Sequence, residues 1–164
     1  MTRPPTPVFP DGALSGEIGI LDGYWPGCQR SPTMAHLLLV DDDNDIVEAL
    51  GELLRGEGHE VRCAATGEEG LLVLRAAPLP DVLVLDVDMP VLGGPGMAHK
   101  MLLHDAGEEH VPIVLMSARA DLPQIAREMG TSYVLKKPAT FGEFLTVLDR
   151  ALRERHEPHP LEAP

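Results

Sequence analysis

Val82-Leu83-Val84-Leu85-Asp86-Val87-Asp88-Met89-Pro90 is the stretch on which the reading of this chain turns. Its apolar run is too short for a helix and lacks polar alternation, the pattern of a strand buried on both faces. Such a strand delivers Asp86 as a carboxylate at its C-terminal tip. The pattern recurs in both directions along the chain. Leu37-Leu38-Leu39-Val40 ends in Asp41-Asp42, the run Val111 to Met116 (interrupted by Pro112) ends in Ser117, and Tyr133-Val134-Leu135 leads to Lys137. Four apolar strands thus carry an acid pair, an acid, a hydroxyl and an amine at the same end.

That set of groups has one coherent chemistry. Crowded carboxylates repel, and at least one stays protonated unless a cation sits among them. Mg2+ suits the place, because it prefers oxygen ligands and takes one or two carboxylates together with waters and phosphate oxygens. A carboxylate can attack phosphorus to give an acyl phosphate. Metal and lysine can neutralise the phosphoryl oxygens, and a serine hydroxyl can donate to one of them. Taken alone, Asp41-Asp42-Asp43 reads equally as a loop and N-cap for the next helix, with Asp43 or Asn44 as the cap.

The 164 residues suffice for one domain with a proper core, and a hydrophobic content of 44% is ordinary for a soluble protein. A net charge of -13 argues against sequence-independent nucleic-acid binding, which needs basic surface. The two cysteines, Cys28 and Cys63, favour a reducing compartment over a structural disulfide. No apolar run approaches the length of a membrane span, and Glu17 and Asp22 break the most apolar part of the first 33 residues, so a cytoplasmic location is expected. Residues 1–33, rich in Pro and Gly, read as a disordered or non-native leader, with Met34 as an alternative start.

From Ala35 onward short apolar runs alternate with amphipathic stretches. Strands are expected at Leu37–Val40, Glu60–Ala64, Val82–Leu85, Ile113–Met116 and Tyr133–Leu135. Helices are expected at Asn44–Gly56, with Ile46, Leu50, Leu53 and Leu54 as the apolar stripe, then Gly67–Ala76, Gly96–Ala106, Leu122–Met129 and Thr140–Arg155. Scattered histidines, His59 among them, read as surface residues. Residues 156–164 read as a disordered tail. Five successive strand–helix units imply a doubly wound parallel sheet with helices on both faces, a three-layer α/β/α sandwich. The site of such a fold lies beyond the C-terminal strand ends.

Val40-Asp41-Asp42, Leu85-Asp86-Val87-Asp88-Met89-Pro90, Gly94, Met116-Ser117-Ala118 and Lys137-Pro138 together resemble the receiver domain of bacterial two-component response regulators, over about Ala35 to Arg155. The resemblance implies a flavodoxin-like, five-stranded sheet of order 2-1-3-4-5. It implies Asp86 as phosphoacceptor, with Asp41, Asp42, Asp86 and the backbone carbonyl of Asp88 around Mg2+. It implies Ser117 as the switch hydroxyl and Lys137 as the contact to a phosphoryl oxygen. Asp88 and Arg119 occupy places that tune the lifetime of the acyl phosphate, and an acid and an arginine there suggest a pair over the pocket. The implied donor is a phosphohistidine on a sensor histidine kinase or histidine phosphotransfer protein, and the implied output is a conformational change read by a downstream protein, with dimerisation on phosphorylation left open. With no output domain in view, a stand-alone receiver is expected, one that catalyses only its own phosphorylation and dephosphorylation.

Two departures stand out. Val134 occupies the place of the usual aromatic residue three before the lysine, and Tyr133, one earlier, should face the other side of the strand. Ala139 replaces the usual Phe after Lys137-Pro138, leaving Phe141 as the apolar anchor of the last helix. The switch face expected from the resemblance comprises Ser117, Tyr133 and Val134. Two other readings compete: an interaction module that works without phosphorylation, and a haloacid-dehalogenase-type phosphatase opening on Asp86-x-Asp88. The second is opposed by Pro90, where those enzymes carry Thr or Val.

Overall fold

The computed structural model describes residues 34–76, 78–103 and 110–159. Strands and helices alternate as β1 (His36–Val40), α1 (Asn44–Gly56), β2 (Glu60–Ala64), α2 (Gly67–Arg75), β3 (Val82–Asp86), α3 (Gly94–Leu102), β4 (Ile113–Ser117), α4 (Leu122–Met129), β5 (Tyr133–Lys136) and α5 (Phe141–Glu154). The strands form one parallel sheet in the order β2-β1-β3-β4-β5, as expected. Side chains alternate across it and build two cores. Leu38, Val40, Leu83, Leu85, Ile113 and Leu115 pack against α2, α3 and α4. Leu37, Leu39, Val82, Val84, Val114, Met116, Tyr133 and Leu135 pack against α1 and α5. Each fully buried Leu or Val contributes roughly 1.5–3 kcal/mol of transfer free energy. This burial on both faces explains why the strands read as unbroken apolar runs.

Three helices begin on a side-chain cap. Asp43 Oδ1 accepts from the amides of Asp45 and Ile46, Thr66 Oγ1 from Glu69, and Thr140 forms a reciprocal box with Glu143. Bonds from Thr140 hold the Glu143 carboxyl below its usual range. Arg62, on β2, closes the end of α2 by donating to the carbonyls of Val73, Ala76 and Pro78.

Several expectations need adjustment. β3 and β4 each run one residue further than the apolar pattern suggests and take in Asp86 and Ser117, because Asp86 pairs with Met116 and Ser117 with Lys136 in the ladder. α3 starts two residues earlier, at Gly94, and ends at Leu102 with Leu103 as its C-cap, short of the expected Ala106, which itself lies outside the described residues. The buried stripe of α1 is Val47, Gly51 and Leu54, while Ile46 and Leu53 are 37% and 49% exposed. The helix carries apolar residues on two adjacent faces, and the sheet buries the one on which a glycine permits close approach. His59 is buried rather than superficial.

The tail expected from residue 156 is in part held. The His156 amide donates to the Tyr133 hydroxyl at 3.2 Å, Pro158 is buried, and the His159 amide donates to the carbonyl of Gly130 at 3.0 Å. Gly130 ends α4 with φ of +71°, and a Cβ there would fall on the backbone of His159, so glycine is required twice over. The leader 1–33 and residues 160–164 lie outside the described residues. Among the described residues no helix is long and apolar enough to cross a membrane.

Candidate functional site

The order of the strands decides where the acids meet. The chain runs outward from β1 to β2, then returns to place β3 on the other flank of β1. The crevice between the tips of β1 and β3 is the switch point of the sheet. Asp41 follows β1 directly, its amide still bonded to Ala64 at 3.2 Å, and Asp86 ends β3. Both are buried, while Asp42 faces solvent. One carboxylate oxygen from each of Asp41, Asp42 and Asp86 lies within 4.8 Å of the others.

Lys137 bridges the two buried acids. Its Nζ donates to Asp41 Oδ2 at 2.6 Å and to Asp86 Oδ1 at 2.7 Å. Its backbone amide continues the sheet by donating to the Ser117 carbonyl at 2.8 Å, which fixes where the side chain begins. The Lys137–Pro138 peptide is cis. The second oxygen of Asp86 accepts from the amide of Asp88 at 2.8 Å. Burial raises the Asp86 carboxyl above the usual carboxylate range, with the bond and charge of Lys137 working against that rise. Burial alone would lower the Lys137 ammonium, but its bonds to Asp41 and Asp86 outweigh burial and hold it above its ordinary value. Three carboxylates against one ammonium leave excess negative charge around oxygen ligands, and the donor set fits a hard divalent cation such as Mg2+.

Ser117, fully buried at the end of β4, donates through Oγ to Asp88 Oδ2 at 2.7 Å and accepts from the amide of Arg119 at 3.0 Å. The expected pair between Arg119 and Asp88 exists but is long, 3.5 Å from Nη1 to Oδ1. The principal partner of Arg119 is Asp121, reached by Nε at 2.8 Å and Nη2 at 2.6 Å. Bonding to Asp121 raises the guanidinium above its ordinary value, and the same bond lowers the Asp121 carboxyl. Asp121 stands at the N-cap of α4, yet its side chain caps no amide. Nothing in the sequence marks Asp121 as a partner of Arg119, since an Asp before a helix reads as a cap.

Tyr133, expected on the switch face, lies on the opposite side of the sheet from Val134. Strand alternation buries it in the core under α1 and α5, beneath Arg150 and stacked on His156, while Val134 packs toward α4. Of the three residues expected there, Ser117 and Val134 share the α4 side of the site. Phe141 is half-buried and stacks on Phe144 at 6.4 Å between ring centroids. Just beyond Asp88, Val91 is 94% exposed with φ of +67°, a strained setting for a β-branched residue. A groove of about 490 Å3 runs beside Lys137, between α1 and α5, and is lined by Ile46, Leu50, Leu53, Ala139 and Phe141 among others.

Comparisons with known proteins agree with this geometry. The family described as response regulator receiver domain matches residues 37–149. A response regulator receiver protein of Anaeromyxobacter sp. is 34% identical over 112 residues, 68% of this chain and 46% of that protein. The transcriptional regulatory protein PrrA of Mycobacterium tuberculosis is 35% identical over 127 residues, 75% of this chain and 52% of that protein. The chain therefore spans about half the length of these curated relatives. Among solved structures, the chemotaxis response regulator CheY4 of Vibrio cholerae superposes with a TM-score of 0.67 at 30% identity, covering 73% of this chain and 100% of that one. Buried acids at the sheet's switch point, a lysine bridging them and these similarities lead to one identification: the chain belongs to the response regulator receiver domain family of two-component signalling.

Proposed function

We propose that Asp86 accepts a phosphoryl group from a phosphohistidine on a sensor kinase or phosphotransfer protein, in a Mg2+-dependent step, and that the loaded domain signals to a partner protein. The observation that carries this reading is the setting of Asp86. It is a buried carboxylate at the switch point, held by Lys137 Nζ and the Asp88 amide, with Asp41 and Asp42 close by. A carboxylate oxygen of Asp86 attacks phosphorus as the P–N bond breaks; with a proton on the donor's second ring nitrogen, the products are an acyl phosphate and a neutral imidazole. Lys137 turns from the acids to a phosphoryl oxygen, and Ser117 donates its hydroxyl to another. Asp41, Asp42, Asp86 and the carbonyl of Asp88 would hold Mg2+, which when bound neutralises phosphoryl charge. Hydrolysis of the acyl phosphate by water, tuned by Asp88 and Arg119, resets the domain.

The groove between α1 and α5 supports docking of the donor, because its apolar wall is continuous with Lys137, which bonds Asp41 and Asp86. The donor would present an apolar helix face there. Output would pass through the loop after Ser117 and the α4 side, where Val134 lies. Curated relatives include a protein named as a DNA-binding response regulator.

Incubation with acetyl phosphate and Mg2+, followed by intact-mass measurement, tests the reading. The expected result is one added phosphoryl group in the wild type and none in Asp86→Asn or without Mg2+. Label that persists in Asp86→Asn, or a wild type that neither gains mass nor binds the phosphoryl mimic beryllofluoride, overturns it.

A further inference from the structure

We infer that Asp88, Arg119 and Asp121 form an exchange latch on Ser117. Asp88 holds the hydroxyl in the unloaded state, and Arg119, oriented by Asp121, takes up Asp88 when the hydroxyl leaves. This rests on the proposed phosphorylation of Asp86 and adds a positioning role for Asp121.

A serine hydroxyl has one proton to donate. Ser117 gives it to Asp88 Oδ2 at 2.7 Å, in the range of strong hydroxyl-to-carboxylate bonds. A phosphoryl oxygen on Asp86 cannot receive that proton until Asp88 yields it. Asp88 is half-exposed, so it can move, but yielding forfeits a charge-assisted bond.

Arg119 offsets that loss. Its Nη1 already faces Asp88 Oδ1 at 3.5 Å, long for a hydrogen bond. Closing to about 2.8 Å needs a shift of well under 1 Å. Two of its nitrogens are engaged by Asp121, so the fork is fixed with the remaining one aimed at Asp88. As a half-exposed ion pair, Arg119–Asp121 adds little to stability. Its effect is directional. That accounts for an Asp at the start of α4 whose carboxylate caps no amide.

Equilibrium binding of beryllofluoride with Mg2+ to the full chain, measured by titration calorimetry, tests the latch. Removing the competitor in Asp88→Ala should tighten binding about tenfold, the scale of one charge-assisted bond. Arg119→Ala and Asp121→Asn should each weaken binding several-fold. In the Asp88→Ala background both should have no effect, since the arginine then has nothing to take up. All three substituted residues are about half solvent-exposed, and melting curves identify any variant that fails to fold, in which case Asp88→Asn and Arg119→Gln replace it with the same expected signs. Binding in Asp88→Ala no tighter than in the wild type overturns the latch. So does an Arg119→Ala effect that persists in that background, which would mean direct contact with the phosphoryl group. A wild type that takes up no beryllofluoride overturns both the phosphorylation reading and the latch, whereas a wild type that binds while the variants ignore Asp88 removes the latch alone.

Discussion

Gly94→Ala should cost stability and chemistry together. A Cβ at Gly94 would lie 2.5 Å from the carbonyl oxygen of Asp86, 3.1 Å from Val87 Cα and 3.3 Å from the Asp86 carbonyl carbon. All three are backbone atoms, so no side chain can swing aside. Relief requires the start of α3 or the tip of β3 to move by a sizeable fraction of an ångström. The tip of β3 is held by the pairing of Asp86 with Met116 and by the bond from the Val87 amide to Met116 at 3.0 Å. Overpacking of this kind costs about 1–3 kcal/mol, and for a domain of this size each kcal/mol lowers Tm by about 3–6 °C. A fall of about 3–18 °C is therefore expected by calorimetry. The displaced tip also carries Asp86 and the Asp88 amide that binds it, and misplacement near 1 Å can slow a positioned reaction by about 100-fold. The rate of labelling by acetyl phosphate should fall by at least tenfold at temperatures where the variant is fully folded. Gly142→Ala is the internal control. Nothing lies within 4 Å of its Cβ, so it should be neutral or stabilising by up to about 1 kcal/mol. A Gly94→Ala protein that melts and labels like the wild type would refute the reasoning.

Asp86→Asn should raise stability at neutral pH in the absence of metal. Burial lifts the folded-state pKa of Asp86 above its unfolded value, so this group's contribution is fully present at acid pH and is lost as pH rises through the folded pKa. The advantage of the Asn variant in urea unfolding should therefore be greatest near pH 7 and shrink toward pH 4; the opposite trend would contradict the assignment. Mg2+ should stabilise the wild type by about 1.4 kcal/mol when free metal is ten times its Kd, and most of that gain should vanish in Asp41→Asn, read as a metal-dependent Tm shift. Val91→Asn should stabilise by about 0.5–1 kcal/mol, because asparagine tolerates the left-handed region that strains valine. An unchanged or lower unfolding midpoint would show that Val91 pays no conformational penalty.

Most of the site was legible because a polar residue at the end of a fully apolar strand has few structural reasons to be there. Asp41, Asp86 and Ser117 are of that kind, and each lies at its strand tip. The side of Tyr133 was legible too, since strand alternation leaves no choice between faces. Helix α1 was harder. Ile46-Val47, Leu50-Gly51 and Leu53-Leu54 offer two stripes one residue apart, and only contact with the sheet chooses between them. The pairing of Arg119 with Asp121 was hidden because it depends on how the loop after β4 turns, which no periodicity records. The same holds for residues 156–159, where Pro and His read as an unstructured end but tertiary contacts with Gly130 and Tyr133 decide.

Those contacts set a polarity for anything appended to the chain. Gly130 caps α4 just before β5, Tyr133 opens β5, and Lys136 ends that strand three residues on, next to the Lys137 that bridges the acids. At about 3.3 Å per residue the anchored end is therefore about 10 Å down the sheet from the carboxylate end. A fluorophore attached at residue 159 would sit at the end of the sheet opposite the acids. It would leave the entrance used by a phosphodonor unobstructed, and any change it registered would have crossed the length of the sheet.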